Sequence, residues 1–445
     1  MRLQDLVRIF ALPAAAALAL ASCGTGGGVS TPPPGNGGTP PPGGGGGITV
    51  RVADPFGSPR PASAFAWQDS NGVWQAGQPG QSTYSFQPSG DRYGFAVRCP
   101  DGPVHVYQLT TQDGTSWTVE CAADTNTFTA SYQVNYDAQA VSATTVCLYD
   151  SILPWSCQNS PTGTITMQNR RPGRQDLVLQ AYSASSPAMK VLTDVNIPQG
   201  SPYNVQVTDA DRVTLDGGTL QWSGNAAFAD AGNVYYLSPL GTWAPLGGGV
   251  NGSGRFATLA NLAGGRYIAD VTTCCQLLNG NEFGGQRYFK LDTATSYSFT
   301  LPTWWSGLGF STSPRPGFTG MSYTGFPNLP TKAYVLQIQL QDNTFWMAAL
   351  SLNWLGQQTS YTFPDLSGIS GFPSLSQQVS WWQAAAFAVQ FAPGYGQNLR
   401  WARSLAGMQT LRRGTRTQQV RSMQGPVPVP GAIEGGGAFR MSQGS

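Results

Sequence analysis

From Ile48 onward the sequence is a succession of short apolar and aromatic runs, broken about every 8 to 12 residues by Gly, Pro, Asn or Asp. That rhythm is too short for helices of ordinary length and suits strands joined by turns. ITVRVAD, ASAFAWQD, STYSFQ, RYGFAVRC, VHVYQLTTQ and SWTVEC each place β-branched or aromatic residues at alternate positions, the pattern of a half-buried strand. Composition agrees. Helix-favouring Lys and Glu are confined to Lys190, Lys290, Lys332, Glu120, Glu282 and Glu434, whereas the chain carries 56 Gly and 33 Pro, so long surface helices are not expected. A net charge of +2 excludes a chain-wide nucleic-acid surface, which needs a clear basic excess. The expected fold class is all-β, with tandem β-sandwich modules behind a disordered Gly/Pro-rich linker. QDGTS, between VHVYQLTTQ and SWTVEC, reads as an Asp-Gly hairpin turn.

Internal recurrences set the module count. GDRYGFAVRC (90–99) resembles GGRYIADVTTC (264–274), and AFAWQDSNGVWQ (64–75) resembles VYYLSPLGTWAPL (234–246). STYSF (82–86), SPYNV (201–205), TSYSF (295–299) and TSYTF (359–363) share a hydroxyl-rich start and a central Tyr. Uneven spacing makes this divergent repetition and not a solenoid. The modules are expected at 48–124, 125–217, 218–310 and 311–424, the last with a basic C-terminal segment, followed by a disordered tail at 425–445. By pattern they resemble immunoglobulin-like or carboxypeptidase-regulatory-like sandwiches, a likeness that implies fold and not function.

The N-terminus points to export. Arg2 and Arg8 precede IFALPAAAALALAS, an apolar stretch of about 14 residues. A membrane-spanning helix needs about 20, so residues 1–22 read as a removable signal peptide. Leu20-Ala21-Ser22-Cys23 resembles the lipobox of bacterial lipoproteins. The resemblance implies that the Cys23 thiol receives a diacylglyceryl group, that cleavage leaves Cys23 as the first residue, and that the protein is held to a membrane by its lipid. Gly24 in place of Asp points to the outer membrane or cell surface. Residues 23–47 then form the lipidated start and a Gly/Pro-rich tether. With Cys23 set aside, six cysteines remain at 99, 121, 147, 157, 274 and 275, with no Cys-x-x-Cys. In an exported protein these are disulfide candidates. Cys147 and Cys157 bracket a short loop, and Cys99 and Cys121 end two strands. Adjacent Cys274 and Cys275 leave three options open: a vicinal disulfide, separate partners, or no bond.

Chemistry-bearing patterns are sparse. His105 is the only histidine, inside PVHVYQL, and no Gly-x-Ser-x-Gly elbow or Ser-x-x-Lys motif accompanies it. The glutamates are scattered and form no acid/base pair. Asp209, Asp211 and Asp216 lie close in sequence but lack the spacing of a calcium loop, so they read as a solvated turn. The neighbours Trp304-Trp305 and Trp381-Trp382 could each expose one indole for stacking on sugar rings, because adjacent strand residues face opposite sides. Residues 399–425 carry Arg400, Arg403, Arg412, Arg413, Arg416 and Arg421 with no acid, which reads as a solvated extension or a contact strip for anionic surfaces. The sequence therefore predicts an exported, lipid-anchored envelope protein with a structural or binding role and no catalysis, metal or cofactor. Its expected partners are the membrane, through Cys23, and an envelope protein or polysaccharide; no nucleic acid is expected. The alternative is a surface glycan-binding or substrate-capture lipoprotein, and an envelope hydrolase ranks last.

Overall fold

The computed structural model describes residues 47–54, 57–122, 130–150, 155–170, 173–183, 187–197, 202–224, 229–279, 282–303, 305–327, 330–376, 378–388 and 406–415. The signal segment, Cys23, the linker and the tail lie outside these residues. Within them the chain is almost entirely β.

The first module contributes β1 (Ile48–Ala53), β2 (Ala64–Gln68), β3 (Trp74–Ala76), β4 (Thr83–Phe86), β5 (Arg92–Arg98), β6 (Val104–Thr110) and β7 (Ser116–Glu120). β1 pairs antiparallel with β4 and parallel with β7, giving one sheet in the order fourth, first, seventh strand. The other four strands align in the order third, second, fifth, sixth. The second module repeats this plan with β8 (Ala130–Asp137), β9 (Thr145–Tyr149), β10 (Ser156–Gln158), β11 (Thr162–Arg170), β12 (Gly173–Tyr182), β13 (Ala188–Ile197) and β14 (Tyr203–Gln206). So does the third, with β15 (Thr214–Ser223), β16 (Ala229–Leu237), β17 (Trp243–Val250), β18 (Ser253–Thr258), β19 (Arg266–Asn279), β20 (Glu282–Asp292) and β21 (Ser296–Thr300), where β17 and β18 also pair and join the two sheets. In all three the seventh strand runs parallel to the first.

The fourth region departs from the plan at one strand. It comprises β22 (Gly309–Ser311), β23 (Gly317–Thr319), β24 (Ala333–Leu340), β25 (Phe345–Ser351), the one-turn helix α1 (Leu352–Leu355), β26 (Tyr361–Thr362), β27 (Val379–Phe387) and β28 (Ala406–Thr415). β25, β24, β27 and β28 reproduce the third-second-fifth-sixth order if β23 is counted as the first strand. The seventh position beside β23 is filled from the other direction by β22, antiparallel and three residues long.

These equivalences account for the sequence recurrences. The two Arg-Tyr passages are the fifth strands β5 and β19, and the two Trp-containing passages are the hairpins β2–β3 and β16–β17. The four Tyr-centred passages are β4, β14, β21 and β26, each flanking the first strand of its own module. Their alternation is visible in β4, where Tyr84 and Phe86 are buried and Thr83 and Ser85 exposed. The β17–β18 hairpin turns through Asn251 and Gly252 at φ 57° and 86°, the left-handed pair that an Asn-Gly turn supplies.

Two expectations are corrected. β6 and β7 are not a hairpin: β6 pairs with β5 and β25, and β7 pairs with β1, so QDGTS carries the chain from one sheet to the other. The position 217/218, taken as a boundary, falls inside β15.

One sheet of 15 strands runs through three of the four regions, in the order β21-β15-β18-β17-β16-β19-β20-β28-β27-β24-β25-β6-β5-β2-β3. β28 pairs antiparallel with β20 on one side and β27 on the other, so Arg412 and Arg413 of the basic segment occupy strand positions and not a solvated extension. At the next junction β25 runs parallel to β6, Trp346 opposite Val104 through Leu350 opposite Gln108. The cores follow this pairing. Ala64, Ala96 and Val106 of the first module share one buried cluster with Leu336, Trp346 and Trp382 of the fourth. Phe95 and Tyr107 share a second cluster with Val335, Met347 and Phe387.

Candidate functional site

The best-organised polar groups sit at junctions. Asp113, in the QDGTS crossover, is buried and accepts from Thr110 N–H at 2.8 Å and Thr110 Oγ1 at 2.9 Å. The same carboxylate reaches the fourth region, accepting from Ser351 Oγ at 2.5 Å and Asn353 Nδ2 at 2.8 Å. Ser351 is also the N-cap of α1, taking Trp354 N–H at 3.0 Å. Asp176 plays the corresponding part between the second and third modules. It is 0% exposed and accepts from Asp194 N–H at 2.6 Å and, across the junction, from Leu240 N–H at 2.7 Å. Thr242 Oγ1 donates to its backbone carbonyl at 2.6 Å, and Gln180 Nε2 donates to the carbonyl of Pro245. A third carboxylate, Asp150, is held inside the second module by Arg170 Nε and Tyr132 Oη, both at 2.7 Å. Burial, reinforced by the charge of Asp150, pushes the Tyr132 hydroxyl well above the usual tyrosine range. The sequence placed Asp113 in a turn, and Asp176 falls within β12; neither position signals its partners.

Among the described residues two disulfides form, Cys99–Cys121 and Cys147–Cys157, with Cα separations of 5.4 and 4.0 Å. The first ties β5's end to β7's end, and the second links paired residues of β9 and β10. Cys274 and Cys275 lie in β19 at a register shift between Cys274 and Gln276; their side chains fall outside the described set. Among the described residues the grouping of potential metal ligands is Cys99, Asp101 and Cys121, whose sulfurs are already bonded to each other.

One member of each aromatic pair, Trp305 and Trp382, is a core element. Trp305 is 1% exposed, packed near Tyr323 and Tyr334, and Trp382 is 5% exposed, stacked on Phe310 with centroids 5.3 Å apart. Neither can present a face to a sugar, which removes Trp305 and Trp382 from the stacking candidates. Trp381 is half-buried beside Phe345, and Trp304 lies outside the described residues. Among the described residues the exposed indole is Trp155, at 39%, two residues before Cys157 and tilted against Tyr149 at 5.8 Å.

His105 faces the interior of the β6 strand pair, and burial alone lowers its pKa to about 4. Asp211 pairs with Lys190 at 3.0 Å and caps Thr208, while Asp209 pairs with Arg212 at 2.8 Å. These carboxylates close a turn and do not converge on a common point.

That turn borders a cavity of about 220 Å³ between the second and third modules. It is lined by Met189, Lys190 and Val191, by residues 210–213 with the charged Asp211 and Arg212, and by a wall from the loop Leu259 to Ala263 that includes Asn261. Two tyrosines fix this wall: Tyr267 Oη accepts from Leu259 N–H at 3.0 Å, and Tyr236 Oη donates to the Leu262 carbonyl at 2.8 Å. Ala263 is held at φ 47°, a left-handed conformation that a non-glycine residue adopts at some cost.

No protein-family model matches the chain, and no curated protein matches it. Among solved structures, a streptococcal ancillary pilin is 10% identical, covering 68% of this chain and 99% of its own, with a TM-score of 0.14. The TIE protein of Bacillus anthracis is also 10% identical, covering 57% of this chain and 50% of its own, again at 0.14. Scores this low carry no argument, and the fold assignment rests on strand order alone.

Proposed function

We propose that this chain is a lipid-anchored scaffold of the bacterial cell envelope, tethered through Cys23 and carrying its β-modules clear of the membrane on the Gly/Pro-rich linker. The observation that supports the scaffold role is how the buried carboxylates are used: Asp113 bridges the first and fourth regions, Asp176 bridges the second and third modules, and Asp150 braces the second from within. Polar groups placed at seams give cohesion and register; they do not face a cleft where a substrate could meet them. A disulfide between the two sheets of the first module and one between paired strands of the second suit an exported protein. The anchor is tested by fractionating cells that express the wild type and Cys23→Ser. The wild type is expected in the membrane fraction, with a mature N-terminal peptide that begins at Cys23 and carries acyl mass. Release of both proteins into the soluble fraction, or an unmodified Cys23, would refute it.

A second reading, glycan capture, has one observation in its favour: Trp155 is presented on a disulfide-closed loop. A glycan array probed with the wild type and Trp155→Ala decides it. Binding that disappears in the variant supports capture, and a blank array removes it.

A further inference from the structure

The main strands of the fourth region present two unlike faces. On one, Leu336, Ile338, Trp346 and Trp382 pack with Phe318 and Tyr361 of the small β22–β23–β26 sheet. Side chains alternate along a strand, so Gln337, Gln339, Phe345, Met347, Trp381 and Gln383 stand on the other face. Strand pairing sets these six in two adjacent rows. Trp381, Gln339 and Phe345 lie opposite one another across β27, β24 and β25, and Gln383, Gln337 and Met347 form the next row along the strands.

The first row is a layered aromatic support. Phe345 packs against the core shared with the first module, and Trp381 rests on Phe345 with ring centroids 6.5 Å apart and planes 28° from parallel. Trp381 belongs to neither buried cluster of this region and stays half-buried. Its indole is thus backed by a ring and remains partly open to solvent. The second row adds an amide that the fold leaves unused. Gln337 is 5% exposed, and its side chain has no hydrogen-bond partner among the described residues. A buried amide in that position is costly unless something else pairs with it. Gln339 is partly served: its Nε2 donates to Asn343 Oδ1 at 3.2 Å, and its carbonyl oxygen is left to accept.

All six side chains of the two rows are uncharged. Rings beside amides on such a patch match the two sides of a neutral sugar, whose C–H face lies against an indole while its hydroxyls donate to and accept from amides. We infer that this face binds a neutral polysaccharide, one sugar ring stacked on Trp381 and its hydroxyls bonded to Gln337 and Gln339. An anionic glycan finds no cation among these six side chains, and an acyl chain would leave the Gln337 amide buried and unpaired. The inference rests on the glycan-capture reading for its class of ligand, but it uses a surface of the fourth region and not Trp155 of the second module.

The test uses the full-length chain with Cys23→Ser, so its outcome is independent of the lipid anchor. Isothermal titration with cellohexaose, xylohexaose, maltohexaose and N-acetylchitohexaose, all neutral, is expected to show binding of at least one. That binding should weaken about tenfold or more in Trp381→Ala and in Gln337→Leu, and should be unchanged in Trp155→Ala. Gln337→Leu keeps a side chain of similar size, so it reports the lost hydrogen bonds even if Trp381→Ala loosens the sheet. Full affinity in either Trp381→Ala or Gln337→Leu overturns the site. Binding lost in Trp155→Ala and kept in Trp381→Ala does so while leaving the capture reading in place, and a protein that binds none of the four sugars overturns both.

Discussion

The junction between the first and fourth regions and the junction between the second and third modules solve the same problem by different physics. At the first, β25 lies in register beside β6 and two apolar clusters run across the boundary without interruption. At the second, no strand of one module pairs with a strand of the other among the described residues. There a buried carboxylate, an amide contact and one apolar cluster, in which Cys147, Tyr149, Val178 and Met189 of the second module pack with the core of the third, make the connection without strand pairing. A shared core is lost only together with both halves. A seam without strand pairing leans more on individual polar groups such as Asp176, and it leaves room beside it for a cavity. The tighter junction also joins the regions most distant in sequence, which closes the chain on itself.

The largest effect should come from Trp346, fully buried where the two apolar clusters meet β6. Trp346→Ala is expected to cost about 3–5 kcal/mol, measured by chemical denaturation, and to lower the stability of the first and fourth regions together. Independent unfolding of either would break the distinction drawn above. Removing the Cys99–Cys121 bond, which closes 22 residues of sequence, should cost about 3 kcal/mol through the unfolded chain. Its effect should register in both regions of the shared core.

Acid should act on this junction selectively. His105 pairs in register with Met347, and its pKa falls from 6.5 to about 4 on folding. The unfolded chain therefore binds more protons between those values. Stability is complete above about pH 6.5 and declines as pH drops towards 4, by up to about 3 kcal/mol. His105→Gln should flatten that part of the stability profile, and an unchanged slope would assign the acid sensitivity elsewhere. The smallest expected change is the most diagnostic for the seam. Asp176→Ala strands the N–H groups of Asp194 and Leu240, a loss of about 1–3 kcal/mol. It should split the second and third modules into separate calorimetric transitions while leaving the first and fourth coupled.

Much of this architecture is legible in the sequence, because period-two alternation and turn residues are local signals. STYSF announces the buried Tyr84 and Phe86 of β4 without reference to any other strand. The recurrences around Arg92-Tyr93 and Arg266-Tyr267 mark equivalent fifth strands, so even the module plan leaves a trace. What does not show is decided by partners far along the chain. Asp113 in a Gly-containing turn looks like hairpin chemistry, and only the position of Ser351 and Asn353 makes it a crossover fastener. Trp305 and Trp382 stand in tandem pairs that could face either way; a core rich in Phe and Tyr takes them in. Trp155, in a loop with no motif of its own, is the indole left outside among the described residues.

Native-state hydrogen exchange tests the shared core most directly. The amides of β5, β6, β24 and β25 should open with one common free energy, and that energy should fall equally across all four strands in Trp346→Ala. Protection of β6 that persists while β25 exchanges on its own would contradict the shared core and return the first and fourth regions to separate domains.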